Sequence, residues 1–226
     1  VGVFFAGKYE RDDSGKIVFD QYGYPTLAPQ QGVIGDPNPD WRGGLGSSLT
    51  YKKFSVNVLF ETFQGGDFYP GTKSVMYSFG THKDTGNEVT LTQDMTNIQG
   101  TVIPAGTTVR GNIKDLGAGP VLLDEAYYTT LGGGFSALKE QFVEDGSWTR
   151  LRELSFGYRI DSEGFRNLTR LRSMDIRLTG RNLILWTPVV GFDPDSNHTQ
   201  DTIGRGLDYF DNPATRSYVF SLTLNL

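Results

Sequence analysis

At 226 residues, with 29 glycines, 13% aromatic and only 21% charged residues, the chain is long enough for one all-β domain or two small ones and reads as rich in turns and strands. A net charge of −5 argues against a nucleic-acid binder, and the absence of cysteine excludes disulfides, thiolate metal sites and cysteine nucleophiles. No apolar run approaches the roughly 18 residues of a membrane helix, although barrel strands, which show lipid only alternate residues, would leave none.

The chain begins at Val1 with neither an initiator Met nor a signal-like segment, and is read as a piece of a longer protein. Residues 1–40 are rich in Gly, Pro, Asp and Tyr. Asp12 to Gly15 has turn chemistry between short β-prone runs, and Gly35 to Asp40 (GDPNPD) reads as an ordered loop. Alternation begins at Trp41. In Trp41 to Tyr51 the residues Trp41, Leu45, Leu49 and Tyr51 form one row, opposed by Arg42, Gly44, Gly46, Ser48 and Thr50. Lys52-Lys53 makes a tight polar turn, and Phe54 to Phe63 sets Phe54, Val56, Val58 and Phe60 against Ser55, Asn57 and Glu61. So short a connection predicts an antiparallel hairpin.

Residues 64–146 form a long insertion with Gly-rich breaks, a Thr-rich stretch and one predicted helix near Phe135 to Val143. In Trp148 to Ile160, Leu154, Phe156, Tyr158 and Ile160 oppose Glu153, Ser155, Gly157 and Arg159. After a short polar link, Ser173 to Trp186 sets Met174, Ile176, Leu178, Ile184 and Trp186 against Ser173, Asp175, Arg177, Thr179 and Arg181. A second long loop, 187–213, leads to Ser217–Leu226, where Tyr218, Phe220, Leu222, Leu224 and Leu226 share one face.

Successive strand residues point to opposite faces, so each segment has a greasy side and a largely polar side. The connections alternate short and long, the pattern of outer-membrane barrels with short periplasmic turns and long outer loops. Trp41, Tyr51, Phe54, Trp148, Phe156, Tyr158, Trp186, Tyr218 and Phe220 are the expected lipid-facing or girdle residues, most of them near strand ends where amphipathic rings suit a headgroup layer. Charge at Glu153, Asp175, Arg177 and Arg181 suits a wet lumen better than a soluble sandwich core. The expected fold is all-β: about five antiparallel strands of a large transmembrane β-barrel, with 1–40, 64–146 and 187–213 as extracellular loops and the C-terminus periplasmic.

Several landmarks carry a family resemblance. They are Ile34-Gly-Asp-Pro-Asn-Pro-Asp-Trp41, Gly43-Gly44, Tyr51-Lys-Lys-Phe54, Asp145-Gly-Ser-Trp-Thr-Arg-Leu-Arg152 with Leu154 to Tyr158, Gly180-Arg-Asn-Leu183, and Trp186 followed by Gly191-Phe-Asp-Pro-Asp195. In order and spacing the chain resembles the C-terminal barrel portion of a SusC/RagA-type TonB-dependent outer-membrane transporter, a Bacteroidetes-type family. The resemblance implies a nutrient importer for glycans or peptides, located in the outer membrane. Its implied partners are the remainder of the same barrel and its plug, a SusD-like surface lipoprotein, TonB, outer-membrane lipid and a glycan or peptide ligand. It implies no enzyme activity, cofactor or nucleic acid. Plug and TonB box are absent from these residues, and Leu226 stands where such barrels commonly end in an aromatic.

Chemistry-bearing candidates are few. Asp193, Asp195 and Asn197 have the one-three-five spacing of a calcium loop, but His198 and Gly204 stand where the turn Gly and the bidentate Glu belong, so the segment reads as an extracellular turn with no metal. The same two aspartates make an unsupported glycosidase pair. His82 and His198 read as solvated, and Gly132-Gly133-Gly134 as a hinge. No catalytic residue is expected. Among loop aromatics that could stack on sugars, Tyr69, Tyr127 and Tyr128 are read chiefly as packing, while Tyr209 and Phe210, with inward Arg177 and Arg181, are the candidate substrate contacts. The alternative reading is a soluble β-sandwich carbohydrate-binding module.

Overall fold

The structure, a computed structural model, describes residues 2–196, 198 and 204–226. The strands in the first half are β1 (Phe4–Ala6), β2 (Gly32–Gly35), β3 (Trp41–Tyr51), β4 (Phe54–Gln64) and β5 (Asp67–Pro70), followed by helix α1 (Gly71–Ser78). Then come β6 (Glu88–Thr90), β7 (Met95–Thr96), β8 (Val102–Ile103), β9 (Thr108–Arg110), β10 (Asn112–Asp115), β11 (Pro120–Leu123) and α2 (Glu125–Thr129). The remainder is β12 (Glu144–Asp145), β13 (Trp148–Ile160), α3 (Glu163–Thr169), β14 (Ser173–Trp186), β15 (Leu207–Asp208) and β16 (Ser217–Asn225). These fall into two compact units, one from residues 39–66, 145–196 and 212–226, the other from 1–38, 67–144 and 197–211.

The first unit is a single antiparallel sheet in the order β16-β14-β13-β4-β3. All five predicted segments are strands, nearly to the residue. Cross-strand register collects the predicted apolar rows on one face: Tyr51 opposes Phe54, Phe54 opposes Tyr158, Tyr158 opposes Ile176, and Ile176 opposes Leu222. That face is bare. Phe156 is 53% and Leu222 51% exposed, whereas a sandwich would bury such a face under a second sheet. The opposite face carries Asn57, Ser155, Asp175, Arg177 and Arg181, with Asn57 donating to Ser155 Oγ at 3.0 Å.

One expected girdle residue lies elsewhere. Trp148 is only 7% exposed and opposes Phe63, its ring stacked on that phenylalanine at 6.0 Å and 3°. The cause is an irregularity between Leu151 and Glu153, where β13 carries one residue more than β4. A one-residue bulge exchanges the faces of everything beyond it. Leu151 therefore joins Phe60 and Ile184 on the greasy face, while Trp148 and Arg150 turn to the polar one. The alternation that sets Phe156 and Tyr158 opposite Val56 and Phe54 thus does not carry through to Trp148.

The link between β13 and β14, expected to be a plain polar connection, contains α3. Ser162 caps it by accepting the Phe165 N–H, and Arg170 closes it in the left-handed region at φ 61°.

The second unit is ordered by short strand pairs and two small cores. Tyr24, Val121, Leu123, Tyr127 and Tyr128 form one, and Leu91, Met95 and Leu122 the other. The predicted Asp12 turn is present, with Asp12 Oδ1 accepting from the Ser14 and Lys16 N–H groups. The predicted helix over 135–143 is not: only a 3₁₀ turn at Glu140–Phe142 forms. Its backbone donors are engaged elsewhere, since the Lys139 and Glu140 N–H groups both reach Gly7 O, and the Gln141 side chain takes the Leu131 and Leu138 carbonyls. Helix appears instead at α1 and at α2, which Asp124 caps through the Tyr127 N–H. Gly132 to Gly134 act as packing positions, not as a hinge. A Cβ on Gly134 would lie 2.6 Å from the Ser74 backbone, too close for any side chain.

Candidate functional site

The charged face of the sheet holds the densest polar constellation. Beyond the bulge, Arg150, 3% exposed, pairs with Asp193, 9% exposed. Its neighbour Arg152 reaches Glu61 through Nε at 2.5 Å and Asp195 through Nη2 at 2.6 Å. Both guanidinium groups lie over the Trp148 ring, at 5.7 and 5.2 Å from its centroid, a cation–π arrangement strengthened by burial. Arg150 Nε is buried without a hydrogen-bond acceptor among the described residues. Asp193 also accepts from the Ala214 and Asp195 N–H groups, and its carbonyl takes the Ser196 hydroxyl. Burial pushes the Asp195 carboxyl above the usual carboxylate range, against the opposing pull of Arg152 and Arg150.

These contacts decide what Asp193 and Asp195 do. Each carboxylate is committed to an arginine, which binds the segment after β14 to the charged face. Neither a calcium ligand set nor an acid pair is assembled; among the described residues no group of three or more His, Asp or Glu is placed to hold a metal, and Asn197 lies outside them. Burying a charge is tolerable only when it is paired and hydrogen-bonded, and this cluster satisfies that condition. Sequence reading weighed the two aspartates without their partners. The signal was present in Arg150 and Arg152, which lie inside the quoted Trp148-Thr-Arg-Leu-Arg152 motif, but the bulge hides which face they share.

Of the four candidate substrate contacts, two lie in each unit. Arg181 on β14 pairs with Glu153 across the register at 3.2 Å, and Arg177 is exposed on the same face, opposite Gly157 and Ser221. Tyr209 and Phe210 follow β15 as an exposed edge-on pair with ring centroids 5.0 Å apart, Phe210 at φ 61°. The other loop aromatics are packed. Tyr127 and Tyr128 are buried, and Tyr69 meets Phe4 and Phe142 edge-on. His82 is not solvated: its ring stacks on Tyr77 at 4.3 Å and its Nδ1 accepts the Asp84 N–H. His198 is exposed, with Nδ1 at 3.5 Å from Asp211.

No protein-family model matches the chain. TonB-dependent receptor P3 of Formosa agariphila is 26% identical over 221 residues, which cover 95% of this chain and 19% of that receptor. The chain thus spans about a fifth of the length of the curated relative it matches. Among solved structures it superposes on the RagAB peptide importer in its closed-closed state with a TM-score of 0.57 and 17% identity, covering 98% of this chain and 23% of that one. The open-open state gives 0.55 and 16%, covering 99% and 22%. At those identities the likeness is one of fold. Taken with the motifs from Ile34 to Asp195 and the two-faced five-stranded sheet, these findings make the chain similar in sequence to part of a TonB-dependent receptor and similar in fold to part of the RagAB importer.

Proposed function

We propose that this chain supplies wall strands and extracellular loops to an outer-membrane importer of large nutrients, oligosaccharides or peptides. The observation that carries the reading is the sheet itself, with one greasy exposed face and one ionised face. Lipid solvates the first, and the wet lumen of a wide barrel solvates the second. The dimensions agree. The eleven residues of β3, at about 3.3 Å each, span about 36 Å, which a tilt of about 40° reduces to about 28 Å of height, near the ~25 Å apolar band of such barrels. Tyr51, Phe54 and Tyr158 then mark one interface, and Trp41 and Trp186 the other.

Strands β3 and β16 end the sheet with unpaired N–H and C=O groups, each costing several kcal/mol in hydrocarbon, so the remaining strands of the barrel must pair there. In this orientation 1–40, 64–146 and 187–213 are extracellular, while the Lys52-Lys53 hairpin, α3 and Leu226 are periplasmic. A SusD-like lipoprotein would capture ligand above the loops, and TonB would displace the plug below.

Deleting the whole reading frame and growing cells on oligosaccharides or on peptides as the limiting nutrient tests import. Loss of growth on one class names the cargo, and undiminished growth on both overturns the reading. Topology is tested with a membrane-impermeant maleimide on intact cells: Glu88→Cys should label and Asn167→Cys should not, and the reverse pattern inverts the orientation.

A further inference from the structure

The unit that holds α1 and α2 contains a cavity of about 250 Å³ unrelated to the charged sheet face. Its lining includes Tyr77, Phe79, Thr85, Arg110, Glu125 and Tyr128. Two opposite charges therefore share one small space. Arg110 is held in place by its Nε, which donates to Thr85 O at 2.7 Å, leaving its terminal nitrogens unused by that bond. Glu125 sits in the first turn of α2, whose position is fixed by the Asp124 cap. Among the described residues neither charge has an ion-pair partner within 4.0 Å, although ten other acidic groups do.

The aromatic lining disfavours a sugar. A sugar platform needs a free ring face, yet Tyr77 is stacked on both His82, at 4.3 Å, and Tyr128, at 5.3 Å. Only Phe79, exposed and met edge-on by Phe135 at 5.5 Å, presents open apolar surface. The volume is below the ~300–1,000 Å³ typical of drug-sized sites, which limits the ligand to something small. We infer that this cavity binds a zwitterion of amino-acid or dipeptide size, its carboxylate on Arg110, its ammonium on Glu125 and an apolar side chain against Phe79. The site rests on the importer reading only for its purpose; its binding chemistry is independent of transport.

The test uses the full-length receptor purified in detergent and titrated calorimetrically with Ala-Phe, N-acetyl-Ala-Phe, Ala-Phe amide and maltose. Ala-Phe should bind, and blocking either end should weaken binding about fivefold or more, the loss of one charge pair. Glu125→Gln should weaken Ala-Phe while leaving the N-acetyl form unchanged, and Arg110→Met should do the same for the amide. Equal binding of blocked and free peptides, binding of maltose in competition, or indifference to both substitutions overturns the assignment. Far-UV circular dichroism and retained nutrient uptake by the variants separate a failed cavity from a failed fold or a failed importer reading.

Discussion

Placing an arginine at Leu45 is the sharpest probe of which face meets lipid. Leu45 is 72% exposed and opposes Phe60, so it lies on the greasy face about 13 Å from Trp41 and about 20 Å from Tyr51 along β3, close to the middle of the apolar band. A cation at the midplane of a barrel's outer face costs about 2–4 kcal/mol. At about 1.4 kcal/mol per decade, that is about a 30- to 700-fold fall in the folded fraction's equilibrium constant. Ser48 lies three residues further along and on the other face, opposite Asn57. Ser48→Arg should cost about 0–1 kcal/mol, because a lumen position keeps its charge in water. The assay is denaturant unfolding of the full-length receptor in lipid vesicles, followed by its heat-modifiable migration on gels. If Ser48→Arg proves as damaging as Leu45→Arg, or more so, the two faces have been exchanged and the membrane reading fails.

Three further outcomes follow from the contacts described. Asp193→Asn or Arg150→Met alone should destabilise by about 3–5 kcal/mol and expose the 187–213 segment to protease, and the double variant should cost clearly less than the sum, because each single change strands a buried charge. Gly134→Ala should destabilise by about 1–3 kcal/mol through the Ser74 backbone clash, whereas Gly164→Ala in α3, with nothing within 4 Å of the new methyl, should be neutral or stabilising by up to about 1 kcal/mol in thermal unfolding. Burial raises the Glu140 carboxyl, but the Arg11 pair at 2.5 Å and the Tyr9 N–H outweigh it and leave it below the usual carboxylate range. Its contribution is therefore present above the unfolded-state carboxylate pKa and lost as pH falls through the lower folded value. Stability measured from pH 6 to pH 3 should show an acid-side loss in the natural protein that Glu140→Gln lacks.

The wall was readable from sequence because its signal is local and repeated. Tyr218, Phe220, Leu222 and Leu224 need only the two-residue period of a strand to be placed, and that period repeats along every strand of the sheet. Trp148 escaped because a single extra residue in β13 shifts the count, and nothing in Arg150 to Glu153 announces it. The carboxylates of Asp193 and Asp195 were visible, but their partners lie about forty positions earlier in the chain, and pairing at that distance has no periodic trace. The loop helices failed for a different reason. Ala137 to Gln141 are good helix formers, but Gly7, far away in sequence, takes the Lys139 and Glu140 N–H groups that a helix would need. Where tertiary contacts decide, composition does not.

The bulge gives β13 two trades along one strand. Its lower stretch obeys the solvent outside, while its upper stretch is released from that duty and forms a deck of indole and guanidinium on which a neighbouring segment is moored. Sequence length can thus drift in the moored segment without disturbing the staves below. Excising Arg152 should iron out the extra residue while Trp148 and Arg150 keep the polar face, and should cost the moored segment only its Asp195 tie.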